Sequence, residues 1–194
     1  MESVDLGPAV SRMTDLIAAV PDDLLTAPTP CTESTLGDLI DHIGGFAIAF
    51  TAAAKKSFGE GGSQGPSANA SNLGPDWRTR IPQDLAGLAE AWRDPSAWTG
   101  MTKAGGLDFP GEVVGVIALD ELVVHGWDIA RASGQPYNCE PELVAAATEF
   151  VRPFAESGFP REGLFGPPVP VPADASPLDR LIGLTGRDPT WSSG

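Results

Sequence analysis

The chain has 194 residues, 42% of them hydrophobic and 20% charged, ordinary values for a globular protein that buries roughly 70% of its unfolded surface as a single domain, 1–194. Twelve Lys and Arg against 26 Asp and Glu leave a formal net charge of -14, which repels nucleic-acid phosphates and anionic lipid surfaces, so no nucleic acid and no membrane is expected among its partners. A small molecule is the expected partner, and no uninterrupted apolar run reaches the length of about eighteen residues that a membrane span needs.

Met1-Glu2-Ser3-Val4-Asp5 is acidic and unlike a secretion signal, so a cytoplasmic protein is expected. Residues 4–20 place Leu6, Val10, Met13, Ile17 and Val20 at steps of four and three, one stripe of a first helix closed by Pro21. After a Pro- and Thr-rich loop, Thr35-Leu36-Gly37-Asp38 has the form of a capping box with Asp in place of Glu, and starts a second helix near Thr35. Its stripe of Leu36, Leu39, Ile40, Ile43, Phe46 and Phe50 puts His42 at the edge of the buried face. From Ser57 to Pro75 the chain is Gly, Ser, Asn and Pro, which predicts a mobile surface loop without packing of its own. Gln83–Arg93 predicts a third helix, and residues 96–109, with a Gly105-Gly106 pair, an irregular or hairpin-like connection. A long fourth helix starts at Pro110 and stops at Gly134. Glu140-Pro141-Glu142 opens a fifth, and a proline-rich stretch from Phe159 to Pro177 precedes a short closing helix at Leu178–Leu184. Trp191 is expected to pack back on the body. Cys31 and Cys139 are far apart and lack a Cys-x-x-Cys pairing, so they read as reduced, packed thiols. Long helical patterns with few strand signals predict an all-α fold, an antiparallel helical bundle whose core is a usual place for a metal site.

The fourth helix is the most continuously apolar stretch, yet it carries Glu121, His125 and Asp128. Four residues apart on a helix, Glu121 and His125 have Cβ atoms about 5–6 Å apart, close enough to share one ion. His42, the chain's other histidine, would complete a set of two imidazoles and one carboxylate. Zinc accepts that set with a fourth position open for water or substrate, and nickel or ferrous iron accepts it too. Such an open site polarises a carbonyl or holds an anionic nucleophile, hydroxide or thiolate. Asp128 continues the same face, where it either supports a ligand or forms a surface ion pair with Arg131. Asp38, four before His42, is a candidate for support or direct binding. A bare Glu-x-x-x-His pair also fits a helix without metal in which the two side chains hydrogen-bond each other. Against that, a buried unpaired glutamate costs several kcal/mol and no Lys or Arg lies nearby before Arg131. Trp127, on the other side of the helix, and Cys31, ahead of the His42 helix, read as packing residues.

Three stretches carry a family resemblance: Thr29-Pro30-Cys31 leading to Leu39-Ile40-Asp41-His42, the run Asp120–Ala132, and Gly186-Arg187-Asp188-Pro189. At these residues the chain resembles the DinB-like superfamily, in its actinobacterial branch related to mycothiol-dependent maleylpyruvate isomerase. The resemblance implies an antiparallel four-helix bundle, here with an extra short C-terminal helix and long loops, and a divalent ion held by His42, Glu121 and His125. It further implies a low-molecular-weight thiol such as mycothiol as cosubstrate, and transfer of that thiol to a small electrophile. Ser34 stands where relatives often have tryptophan, which alters one edge of the pocket. The isomerase has an additional C-terminal domain with a catalytic arginine and this sequence stops soon after Trp191, so isomerase activity itself is not expected. A non-catalytic metal or small-molecule binding protein, such as a stress-response module, is the alternative on the same fold.

Overall fold

The computed structural model describes residues 3–58, 65–156 and 164–193. Helices α1 (Gly7–Ala19), α2 (Leu36–Lys55) and α3 (Trp77–Trp92) are followed by strands β1 (Met101–Ala104) and β2 (Leu107–Pro110). Helices α4 (Gly111–Ser133), α5 (Pro141–Glu156) and α6 (Pro177–Leu184) complete the described elements. α1 and α2 each pack against both α3 and α4, while α5 packs against α4 and α6. The resulting apolar core runs continuously from Leu6 to Leu181.

The stripes read from the sequence are the buried faces. Met13 and Ile17 of α1, and Leu36, Ile40, Ile43 and Phe46 of α2, are exposed by 1% or less. α2 starts where its capping box predicts: Asp38 N–H donates to Thr35 Oγ1, while Asp38 Oδ2 accepts from the Thr35 backbone N–H at 2.9 Å. α2 is also the one helix among the described residues that is long and apolar enough to cross a membrane, with a mean hydropathy of 1.2 over its best window. Asp38, Asp41 and His42 interrupt it, so it is not an uninterrupted apolar run. Its apolar side chains face α3 and α4, as those of a core helix do.

Three further expectations change. α3 begins at Trp77, six residues ahead of the predicted start, and contains Pro82. Proline removes one helical N–H, which costs about 3 kcal/mol in a helix interior. Here the apolar series Trp77, Ile81, Leu85, Leu88 and Trp92 continues through it and is buried throughout, so packing offsets the lost bond. The all-α reading gains a small antiparallel hairpin, pairing Thr102 with Phe109 and Lys103 with Asp108. Gly105 and Gly106 both have positive φ, 55° and 82°, the combination a tight two-residue hairpin turn requires. Thr102 anchors the hairpin by donating its hydroxyl to Ala53 O of α2 at 2.6 Å.

Of the predicted Ser57–Pro75 loop, residues 59–64 lie outside the described residues. The part from 65 to 75 is fastened to α2 rather than free of packing. Asp41 Oδ2 accepts from Ser67, the Asn69 N–H and Asn72, Asp38 Oδ1 accepts from the Ala70 N–H, and Leu73 is buried. Two carboxylates on one face of α2 supply the acceptors that a Ser- and Asn-rich segment needs, a pairing invisible to composition alone. Of the proline-rich stretch, residues 159–163 are likewise outside the described residues, and 164–176 form no helix.

Replacing Ile81, fully buried and ahead of Pro82, tests whether the first turns of α3 belong to the core. Ile81→Ala should lower the unfolding free energy by about 2–5 kcal/mol in urea titrations; a change within about 0.5 kcal/mol, the range of surface substitutions, would return this segment to the loop.

Candidate metal centre

α2 and α4 pack face to face, and their contact brings together side chains that are 79 residues apart in the chain. Glu121 Oε2 lies 3.0 Å from His125 Nε2, as the i,i+4 spacing on one helix dictates, and 3.4 Å from His42 Nε2 across the interface. The two imidazole rings meet edge to face with centroids 5.2 Å apart, and the His42 ring is also near-perpendicular to that of Phe46, one turn further along α2. One donor atom from each of His42, Glu121 and His125 falls within 4.8 Å of the others.

That spacing can be compared with what an ion requires. Tetrahedral ligands at about 2.0–2.2 Å from zinc stand about 3.3–3.6 Å from one another; the 3.4 Å from Glu121 to His42 falls in that range and the 3.0 Å to His125 is slightly shorter. The donor set, two nitrogens and one oxygen, suits zinc and its first-row neighbours. These residues fit a divalent ion without rearrangement of the backbone that carries them.

The partners behind the donors set their chemistry. Asp128 Oδ2 lies 2.9 Å from His125 Nδ1, and Asp128 is itself fully buried. A carboxylate at Nδ1 takes the N–H there and leaves the Nε2 lone pair directed at Glu121. Asp128 in turn is gripped by Arg187, whose Nε donates to Oδ1 at 2.7 Å and Nη2 to Oδ2 at 2.8 Å. Of the two readings of Asp128, the surface pair with Arg131 gives way to a buried pair with a residue 59 positions away. Arg131 instead donates to Pro189 O at 3.0 Å and lies over the Trp127 ring.

Asp38 stands apart from this group. Both of its oxygens are engaged at the α2 N-terminus, with Thr35 and with the Ala70 N–H, and the Thr35 hydroxyl leads in holding its carboxyl below the usual range. Its place in the sequence, four residues before His42, carries it one turn along the helix into the cap.

Burial works against the charge on Glu121, but hydrogen bonds to His125 and His42 prevail and hold its carboxyl well below the usual range. Burial also lowers the pKa of His125, and its bonds to Asp128 and Glu121 more than reverse this, pushing the imidazole up to about 10. Without a cation the centre thus holds a proton where a metal would compete for the same lone pair.

The site opens into a cavity of about 240 Å³ that Cys31, Ser34 and Asp120 help to line, together with Val124, Phe165 and Arg187. Cys31 is half-buried at this wall and both cysteines are free thiols, so the reading of Cys31 as a packing residue becomes one of a pocket-lining thiol. Ser34 forms the pocket edge that its family position implied. Sequence reasoning did not reach Asp120 or Arg187 as members of this site. Asp120 is 5% exposed and its Oδ1 meets no hydrogen-bond partner among the described residues. Burial, then the neighbouring charge of Glu121, pushes its carboxyl up to about 8. Its one signal was an acidic residue inside an apolar run. Arg187 had only its place in Gly186-Arg187-Asp188-Pro189, with no spacing that ties it to α4.

Comparison with known proteins places this geometry in context. The profile of the mycothiol maleylpyruvate isomerase N-terminal domain matches residues 6–130, which include His42, Glu121, His125 and Asp128. Two proteins described as uncharacterized, from two strains of Mycobacterium tuberculosis, are each 32% identical over 180 residues, covering 89% of this chain and 90% of theirs. Among solved structures, the mycothiol-dependent maleylpyruvate isomerase is 20% identical, with a TM-score of 0.54 over 77% of this chain. A histidine-to-alanine mutant of it is 17% identical, with a TM-score of 0.59 over 81% of this chain. The chain spans 64% and 69% of those two isomerase chains, and at such identity the likeness speaks to the fold.

The protonated His125 makes a prediction with a definite sign. A group whose pKa rises on folding stabilises fully below its unfolded value, about 6.5 for histidine, and loses that contribution as pH rises through about 10. Asp120, neutral when folded, contributes a fall of its own that ends near pH 8, and the Cys139 thiol, pushed by burial from 9.0 up to about 11, begins another near pH 9, so the interval from pH 8 to 9 isolates His125. Across it, urea midpoints of metal-free protein should decline, and the decline should be absent in His125→Gln. Equal slopes in the two proteins would contradict the charge arrangement.

Proposed function

The chain belongs to the mycothiol maleylpyruvate isomerase N-terminal domain family, and from that premise we propose that it is a divalent-metal protein that uses a low-molecular-weight thiol of the mycothiol type as cosubstrate. The proposed activity is transfer of that thiol to a small electrophile. The observation that carries the reading is the convergence of His42 Nε2, Glu121 Oε2 and His125 Nε2 at the floor of an open cavity. Three protein donors facing a cavity leave room for an exogenous ligand, the arrangement of reactive rather than structural sites.

In this reading His42, Glu121 and His125 hold the ion, with zinc as the expected metal. A divalent ion so held supplies the charge that keeps a thiol ionised at neutral pH. The chain's own residues do the rest. Asp128 holds the Nδ1 proton of His125 so that Nε2 stays available, and Glu121 contributes the one negative charge among the three donors. Val124 and Phe165 give the cavity apolar wall on which the carbon skeleton of a small electrophile can rest, and the net charge of -14 makes a macromolecular polyanion a poor alternative. The pairwise packing of α1 and α2 against α3 and α4 supports reading these helices as the antiparallel four-helix bundle of the DinB-like fold, with 1–194 as one domain. A cytoplasmic setting fits the two free thiols and a diffusible thiol cosubstrate.

Elemental analysis of protein purified without chelators or a polyhistidine tag should give close to one metal per chain, falling below a tenth in His125→Ala and in His42→Ala. Metal retained in full by both variants sinks the ligand assignment. Incubation with mycothiol and a panel of electrophiles should give conjugates at a rate that disappears with the metal. Stoichiometric metal without turnover on any electrophile identifies a metal or small-molecule binding protein instead.

A further inference from the structure

Arg187 lies outside the residues that the family profile matches, yet it is the one arginine or lysine among the described residues lining the metal cavity. The termination of α6 decides where it points. The Arg187 N–H donates to Ile182 O at 3.2 Å and the Gly186 N–H to Gly183 O at 3.1 Å. These are the paired six-to-one and five-to-two bonds of a Schellman helix end, with Gly186 at φ 87° as its left-handed residue. A Cβ on Gly186 would lie 2.6 Å from the Gly166 backbone, so the turn is seated closely against the neighbouring strand of chain. The residue after such a turn has a fixed direction, and here it delivers a guanidinium to a carboxylate that is fully buried on α4.

The contact is two-pronged, 2.7 and 2.8 Å. Such a fork fixes both the position and the plane of the Asp128 carboxylate, which a single point charge would not do. The same Oδ2 that receives Arg187 Nη2 faces His125 Nδ1 at 2.9 Å. Held by one bond alone, a carboxylate can rotate away from an imidazole; held by the fork it cannot. The chain of contacts Arg187, Asp128, His125 therefore runs from the C-terminal turn to the donor atom.

We propose that Arg187 is a positioning residue of the metal centre: by clamping Asp128 it orients His125 Nε2 toward the ion, so the turn after α6 is a working part of the site on α2 and α4. This rests on the reading of His42, Glu121 and His125 as ligands. Outer partners of metal-binding histidines are worth about 10–100-fold in metal affinity, and Arg187 contributes through Asp128 rather than alongside it.

The test is a zinc titration of full-length protein against a chromogenic chelator, in wild type, Arg187→Gln, Asp128→Asn and the double variant. Arg187→Gln and Asp128→Asn should each weaken zinc binding about 10–100-fold, and the double variant should be no weaker than Asp128→Asn alone, because the two residues act in series. Arg187→Lys, which keeps the charge and loses the fork, should recover folding and only part of the affinity. If Arg187→Gln proves unfolded by circular dichroism, Arg187→Lys carries the same cycle. Loss of thermal stability with zinc affinity unchanged would make Arg187 a packing residue and overturn the proposal. Fully additive losses in the double variant would overturn it as well. Wild-type protein that binds no zinc would instead remove the ligand assignment on which the proposal stands, an outcome distinct from either.

Discussion

Ionisable groups on a core helix must find partners inside the protein, and the arrangement of this molecule follows from how α4 meets that demand. Sixteen of its 23 residues are buried; Asp120 and Asp128 are among them, and His125 and Glu121 keep only 13% and 30% of their side chains exposed. An isolated buried charge is untenable, whereas a hydrogen-bonded pair is tolerated. Glu121 is met by His42 from α2, Asp128 by Arg187 from beyond α6, and His125 sits between the two carboxylates. The polar groups of one helix thereby recruit two distant parts of the chain, and the same contacts that satisfy them bring the candidate donors His42, Glu121 and His125 to one point.

Capping and packing fix that point. Thr35 and Asp38 set the first turn of α2, and from there helical geometry places His42 on the face that meets α4. The hairpin and the paired Trp92 and Trp98 rings, 5.1 Å apart, cover the N-terminal half of α4. His42, Glu121 and His125 are consequently held by regular helices within a packed core, the setting in which donor geometry is least free to drift. The cavity wall is different in kind: Cys31, Ser34 and Leu164 come from connecting segments. A set of candidate donors on helices beneath a wall of loops separates the fixed part of the site from the part most open to variation.

Asp120 is the exception to the rule that α4 otherwise obeys. It is buried, its Oδ1 without a hydrogen-bond partner among the described residues, and burial keeps it protonated near neutral pH. Beside Glu121, Arg187 and the open cavity it supplies a hydroxyl donor and a free acceptor at the wall, polar capacity that the folded chain leaves unused.

Much of this was legible beforehand, because helical periodicity is a local property. The stripes of α1 and α2 and the cap at Thr35 depend on residues within a few positions of each other, as does the facing of Glu121 and His125 on one helix. The early start of α3 was hidden by Pro82, since the rule that proline breaks a helix is local while the burial of Trp77 and Ile81 that overrides it is not. The partner of Asp128 was misread for the same reason: Arg131 is near in sequence, but Arg187 arrives only when α6 ends in its glycine turn. The sequence by itself determined which residues are the candidate donors, His42, Glu121 and His125, because residue type and helical spacing are written in the chain. Only the tertiary structure decided that His42 meets Glu121, that Asp38 belongs to a cap and that Arg187 stands behind His125, because contacts across 79 and 59 positions are set by how helices pack.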